Sequence, residues 1–153
     1  MATVKHIFVA PARGAPMQSL SAVEAVAEEG LRGDRYFDAK VRREPDQQVT
    51  FIELENIEAF TRETGLPMLP EGPRRNIVTQ GVRLNDLCGQ RFTVGEVLLE
   101  GLELSEPCLL FAKRTHREAR KFFVGRGGLR ARILVGGQIS VGDVVFAAPE
   151  ARE

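Results

Sequence analysis

Residues 92–103 read FTVGEVLLEGLE and predict two short strands, at 92–94 and 97–103, divided by Gly95. On either side of this stretch, runs rich in valine, isoleucine, leucine and phenylalanine predict further strands. These lie at residues 4–10, 22–28, 48–52, 75–79, 131–135 and 139–146. Residues 22–28 also suit a short helix, because alanine and glutamate are frequent there.

Two segments carry the pattern of a helix. In residues 53–63 the apolar side chains Leu54, Ile57 and Phe60 fall on one face, and Gly65 suits a helix end. Residues 107–123 form the second predicted helix. Since short strands dominate and do not alternate with helices, we expect a mainly β chain with two helices and a closed β-barrel-like fold, not a doubly wound parallel sheet.

Size and composition narrow the possibilities further. The 153 residues suit a single domain, with a core at about 4–147 and a flexible tail at 148–153. Lysine and arginine total 21, as do aspartate and glutamate, so the formal charge of zero argues against nucleic-acid binding. We expect no signal peptide, and no apolar run nears the roughly 18 residues of a membrane helix. Because we expect neither of these targeting features, and the sequence has two cysteines, we predict a cytoplasmic protein with free thiols.

Cys108 is the candidate catalytic residue and metal ligand. It follows Ser105-Glu106-Pro107 at the start of the second predicted helix, where proline favours the first helical position. A thiol in the first turn meets unpaired backbone N–H groups and the positive end of the helix dipole, and both stabilise its thiolate. The thiolate is the form that attacks, carries sulfur and binds soft metals.

Two polar segments are candidates for binding an anion. Asp34 can orient the neighbouring Arg35 towards a ligand, but from these residues alone a structural salt bridge in a turn is the favoured interpretation. Arg74 and Asn76 would share one face of a strand at 75–79, with Arg75 turned away, and a solvated strand end is the alternative.

Several other residues are assigned structural roles. The glycines of residues 125–128 (GRGG) could admit an anion, but a helix cap followed by a loop is the favoured interpretation. Cys88, between Leu87 and Gly89, is predicted to be buried and inert. His116 lies two turns from Cys108 on the predicted helix, about 12 Å along its axis, so we do not pair the two.

The motifs, in their order along the chain, resemble the MOSC domain family, named for the C-terminal domain of molybdenum cofactor sulfurase. The matching pieces are GLRGDR at 30–35, RRNIVT at 74–79, GVRLNDL at 81–87, Glu106-Pro107-Cys108, GRGG at 125–128 and GGQISVGD at 136–143. The resemblance spans about residues 8–146 and is greatest to the small stand-alone bacterial members. Two departures are Tyr36, where many relatives have histidine, and Arg75, where the amidoxime-reducing relatives have proline.

This resemblance implies binding of molybdenum cofactor (molybdopterin), a pterin dithiolene with a terminal phosphate. It implies that Arg35, Thr50, Arg74 and Asn76 line the cofactor pocket, and that Cys108 either ligates molybdenum or holds a persulfide. Pyridoxal phosphate would enter only through a partner sulfurase, because 153 residues leave no room for its domain.

Three functions remain open. The first is a reductase of N-hydroxylated small molecules, supplied with electrons by a separate flavin or iron–sulfur protein, since two cysteines cannot hold a four-thiolate cluster. The second is a sulfur carrier. Cys108 receives sulfane sulfur from a donor, holds it as a persulfide and passes it to an acceptor. The third is a non-catalytic module that binds the cofactor.

Overall fold

The computed structural model describes residues 1–37, 47–107 and 117–147, and within them the chain is mainly β. The strands are β1 (Thr3–Val9), β2 (Gln18–Leu20), β3 (Ala22–Val26), β4 (Gly30–Leu31), β5 (Val49–Glu53), β6 (Ile77–Gln80), β7 (Arg91–Val94), β8 (Val97–Leu104), β9 (Leu129–Val135), β10 (Gly137–Ser140) and β11 (Val145–Ala147). The helices are α1 (Leu54–Thr64) and α2 (Arg117–Phe122). The prediction of a mainly β chain with two helices is confirmed.

The strands form a large sheet and a small one. The large sheet has eight strands in the order β11-β7-β8-β9-β5-β6-β1-β2, and the small one has the order β10-β3-β4. β5 and β6 pair in parallel and are connected through α1, whereas the neighbouring pairs β5–β9 and β1–β6 are antiparallel. The parallel pair places the starts of β5 and β6 side by side, next to the end of β1.

A closed barrel is not confirmed. The large sheet is open, with β11 and β2 at its two edges. The start of β1 meets the segment before β11 through an isolated bridge between Thr3 and Val144 and a few backbone hydrogen bonds, such as Val4 N–H to the Asp143 carbonyl at 2.9 Å. This contact does not extend into a regular strand pairing.

Alternating side chains divide the core into two layers, one on each face of the large sheet. Phe51 and Ile77 belong to the larger cluster, which also contains Val23 and Ile139 of the small sheet. Ile52, Val78 and Phe8 face the other way and pack against side chains of both helices. This second layer contains Ile57 and Phe60 of α1, Ala119 of α2, and Phe123 directly after α2.

The boundaries of α1 follow from its sequence. Ile57 and Phe60 place its apolar face on the sheet, and Gly65 ends the helix in a left-handed conformation (φ +76°), with its N–H donating to the Thr61 carbonyl. No helix in the described ranges is both long and apolar enough to cross a membrane.

Three predicted elements differ from those observed or lie outside the described part. Residues 139–146 form two strands rather than one, because the Asp143 carboxylate accepts the Ser140 N–H at 2.8 Å and the chain turns there. The strand predicted at 75–79 begins only at Ile77. Of the helix predicted at 107–123, residues 108–116 lie outside the described part, as does the predicted tail at 148–153.

Candidate functional site

Thr50 and Asn76 bind each other at the start of the parallel strands. The backbone N–H and the hydroxyl of Thr50 donate to Asn76 Oδ1 at 3.0 and 3.2 Å, and the Asn76 backbone N–H donates to Thr50 Oγ1 at 3.0 Å. Asn76 Nδ2 also donates to the Phe8 carbonyl at 3.0 Å. Asn76 is 4% exposed. Through these hydrogen bonds its side chain joins β1, β5 and the residue before β6. Of its two amide hydrogens, one has no partner among the described residues and is available to a ligand.

Asp34 fixes Arg35 near the same end of β1. Asp34 Oδ1 accepts the Ala10 N–H at 3.0 Å and lies 3.3 Å from Arg35 Nη1. The Arg35 backbone N–H donates to the Ala10 carbonyl at 2.7 Å. The Arg35 guanidinium also lies 4.5 Å from the centre of the Tyr36 ring. The buried carboxylate therefore orients the guanidinium, as the Asp–Arg pair at this turn predicts.

The end of β1 brings three of the predicted cofactor residues together. Asn76, and through it Thr50, is bonded to Phe8, while Arg35 is bonded to Ala10. Two residues of extended chain span about 7 Å, so these two groups of hydrogen bonds are close neighbours.

Arg74 has a left-handed backbone conformation, with φ +59°. Its N–H donates to the Glu71 carbonyl at 3.0 Å, which closes a turn immediately before the site. The expectation that Arg74 and Asn76 share a face of one strand is therefore wrong in its premise, since neither lies in β6. Arg74 lies instead in this turn, two residues before Asn76.

Arg75 donates to backbone carbonyls in three segments. Its Nε donates to Gly127 at 2.9 Å, Nη1 to Pro73 at 3.2 Å and Nη2 to Ser105 at 3.2 Å. These bonds connect the RRN motif (residues 74–76) with the glycine-rich loop (residues 125–128) and with the segment that leads to Cys108. The sequence suggested that Arg75 is turned away from the site, and its role was missed.

The segment Ser105–Pro107 is held tightly just before Cys108. The Ser105 N–H donates to the Gly128 carbonyl at 2.7 Å, and the Glu106 carboxylate accepts the Gly125 N–H at 3.1 Å. Ser105 is fully buried, yet its hydroxyl has no hydrogen-bond partner among the described residues. Cys108 itself lies outside the described residues, so its predicted catalytic and metal-binding roles stay predictions.

The other cysteine is a free thiol at the edge of the core. Cys88 is partly buried and packs against the larger core cluster, and its sulfur lies 3.8 Å from the Leu102 carbonyl oxygen. The position fits the structural role predicted for it, although burial is incomplete.

A polar cleft of about 200 Å³ opens beside the glycine-rich loop. Its lining residues are Glu53, Asn56, Arg83, Asn85, Gly125 and Arg126. The Asn85 side chain donates to the Gly125 carbonyl at 3.0 Å, so the peptide groups of Gly125 connect the cleft with Glu106. The sequence pattern does not indicate this cleft, because its residues come from three separated parts of the chain.

Glu53 contributes a half-buried carboxyl to the cleft. Burial raises the pKa of its carboxyl above the usual range, and the hydrogen bond from the Leu84 N–H, at 3.2 Å, opposes the rise. Because the folded protein binds this proton more tightly than the unfolded chain does, the corresponding stability is present at low pH. It is lost as the pH rises through the raised pKa.

We therefore expect Glu53→Gln to raise the melting temperature at pH 7.5 by about 1–2 °C and to change it less at pH 4.5. Glutamine keeps an oxygen for the Leu84 N–H and carries no charge to desolvate. Thermal unfolding at the two pH values measures this difference. Glu55→Gln is the control, because Glu55 is exposed and accepts the Gly81 N–H in a similar way, at 2.8 Å. A lower melting temperature for Glu53→Gln at pH 7.5 would contradict the expectation.

Solved structures with this fold come from several bacteria. The chain superposes on the YuaD protein of Bacillus subtilis with a TM-score of 0.81 at 16% identity, covering 95% of this chain and 94% of that one. It is also similar to YiiM from Geobacillus stearothermophilus (TM-score 0.78, 16% identity, 97% and 76% covered). YiiM from Escherichia coli gives a TM-score of 0.71 at 17% identity, with 99% and 72% covered. These superpositions show a shared fold.

Sequence comparison identifies the family of the chain. No curated protein matches the chain significantly. The sequence model of the MOSC domain, however, matches residues 38–146, which is well over half of the chain and includes the RRN motif, Cys108 and the glycine-rich loop. On this match, and with a fold shared with YuaD and YiiM, this chain belongs to the MOSC domain family.

Proposed function

We propose that this protein binds molybdenum cofactor and reduces N-hydroxylated small molecules, with Cys108 as the molybdenum ligand. The observation that carries the proposal is the meeting of Arg35, Thr50 and Asn76, from three separate segments, at the end of β1. Membership of the MOSC domain family associates the chain with this cofactor.

The described residues fit a phosphorylated pterin. The buried Ser105 hydroxyl has no partner in the described ranges, and a polar group of this kind normally has one. Asn76 has a spare amide hydrogen, and the guanidinium of Arg35 is already oriented by Asp34. Hydroxyl, amide and guanidinium donors together suit the oxygen and nitrogen acceptors of such a ligand.

Each residue then has a distinct part. Arg35 and Arg74 would bind the phosphate, because a guanidinium matches phosphate oxygens with two parallel donors. Asn76 would donate to the pterin, with Thr50 fixing the orientation of its amide. Cys108 would bind the metal, since thiolate is a soft ligand. The cofactor would supply the redox chemistry.

Electrons would come from a separate flavin or iron–sulfur protein, and the substrate would be a small molecule rather than a nucleic acid or a membrane. The proposal places the protein in the cytoplasm, where thiols remain reduced. Any pyridoxal phosphate would belong to a partner sulfurase.

The molybdenum content of the purified protein tests the proposal. We expect near-stoichiometric metal in protein expressed in a host that makes the cofactor, and about a tenfold loss in Cys108→Ser, because serine is a poor ligand for a soft metal. Cys88→Ser is the matched control and is expected to retain the metal. Turnover of an N-hydroxylated substrate with a chemical reductant then tests catalysis.

Other outcomes would replace the proposal. Sulfane sulfur on Cys108 with no molybdenum would identify a sulfur carrier. Cofactor that binds equally well to wild type and Cys108→Ser, without turnover, would identify a non-catalytic binding module.

A further inference from the structure

Arg75 is the middle residue of the RRN motif and lies directly before Asn76. It uses all three guanidinium nitrogens on backbone carbonyls of Gly127, Pro73 and Ser105. The Gly127 and Ser105 carbonyls lie 52 and 30 residues further along the sequence. One side chain therefore crosslinks the RRN motif to two distant loops.

These two loops also contact each other. The Ser105 N–H donates to the Gly128 carbonyl at 2.7 Å, and a Cβ on Gly127 would overlap the Ser105 carbonyl oxygen. Ser105 is thus held through its N–H by one loop and through its carbonyl by Arg75. Ser105 lies three residues before Cys108 in the sequence, so Arg75 anchors the described segment that leads to it.

The turn before Arg75 is consistent with such an anchor. Arg74 has φ +59°, a conformation that a non-glycine residue keeps only where its surroundings hold it. The three hydrogen bonds of the next residue supply that restraint. Asn76 follows directly, so the same anchor connects the turn before the Thr50–Asn76 pair with Ser105.

We propose that Arg75 is a positioning residue, which fixes the segment from Ser105 towards Cys108 relative to Arg74 and Asn76. It does so through backbone carbonyls and need not touch the ligand itself. The expected effect of Arg75 on retention of the cofactor rests on the proposed function. Its effect on the position of the Ser105 segment does not depend on that function.

Hydrogen–deuterium exchange of the backbone tests the structural part without any cofactor. In Arg75→Met, which removes the donors and keeps a long apolar stem, we expect exchange at Ser105 and Gly125 to increase about tenfold, because their hydrogen bonds open locally. Arg75→Lys should restore part of the protection, since one ammonium group can reach one carbonyl. Arg91→Gln, at an exposed arginine of β7, is the control and should leave these sites unchanged. Unchanged protection in Arg75→Met would overturn the proposal.

Molybdenum content tests the functional part. We expect Arg75→Met to retain about a third or less of the wild-type metal and Arg75→Lys an intermediate amount, since the lost anchor loosens the segment that leads to Cys108. Gly89→Ala, a destabilised variant outside this network, should retain the metal, which separates positioning from stability. Wild-type metal content in Arg75→Met would overturn this part. Wild-type protein without metal would instead refute the proposed function, and the exchange experiment would still decide whether Arg75 positions the segment.

Discussion

Gly128→Ala is expected to yield little folded protein. A Cβ at Gly128 would overlap the carbonyl oxygen of Phe51 and press on the Cα of Ile52 at 3.3 Å, and both belong to the backbone of a central strand. Gly128 also has φ +108°, which side chains rarely adopt. We expect a loss of about 4 kcal/mol or more, a large share of the roughly 5–15 kcal/mol that stabilises a domain. Urea unfolding, or the soluble yield if the protein does not fold, measures the effect.

Gly89→Ala is the matched control for this experiment. Gly89 also has a positive φ, of +78°, but nothing lies within 4 Å of the position that its Cβ would take. It should therefore show only the cost of the backbone conformation, about 1–2 kcal/mol. If the two variants are equally stable, the close approach of Gly128 to β5 is not a requirement of the fold.

Asn76→Ala is expected to lower the stability by about 3–5 kcal/mol, which corresponds to a fall of about 10–15 °C in melting temperature. The truncation removes the partner of the half-buried Thr50 N–H and hydroxyl and of the buried Phe8 carbonyl. Each unsatisfied group costs about 1–3 kcal/mol. Thermal and urea unfolding of protein prepared without cofactor measure this cost separately from any ligand.

Asn85→Ala provides the comparison for Asn76. Its side chain also donates to a backbone carbonyl, that of Gly125 at 3.0 Å, but it is exposed to solvent. Water can replace the lost bond, so we expect a loss below about 1 kcal/mol. Similar losses in the two variants would show that the Thr50–Asn76 pair contributes little, and Asn76 would then act only on the ligand.

Features that depend on neighbouring residues along the chain could be predicted from the sequence. The apolar spacing of Ile57 and Phe60, with Gly65 beyond, gave α1 and its end, because helix periodicity and a left-handed cap are local. The alternation in residues 97–103 likewise gave β8 nearly to its observed end at Leu104. The orientation of Arg35 by Asp34 was predictable for the same reason, since the two are adjacent.

Features made by distant residues were not predictable from local pattern. The start of β6 depends on the turn at Arg74, whose left-handed conformation no neighbouring residue demands. The role of Arg75 depends on carbonyl groups that only the fold brings to it, and strand alternation gave no indication of them. The cleft beside Glu53 is assembled from three segments in the same way. The candidate site was therefore found as a set of motifs, and its connections required the structure.

The contact between the start of β1 and the segment before β11 has a consequence for how the chain folds during synthesis. The later half of β1 can pair early, because Ile7–Val9 bind β2, which follows only a few residues later. One edge at the start of β1 cannot pair early, because its partners lie near the end of the domain. Thr3 bridges to Val144, and the Ala2 carbonyl accepts the Val145 N–H at 2.9 Å. That edge stays unpaired on the ribosome until nearly the whole domain has emerged. Such long sequence separations slow folding, so we expect the last step of folding to be the docking of residues 142–145 onto a sheet that is already formed.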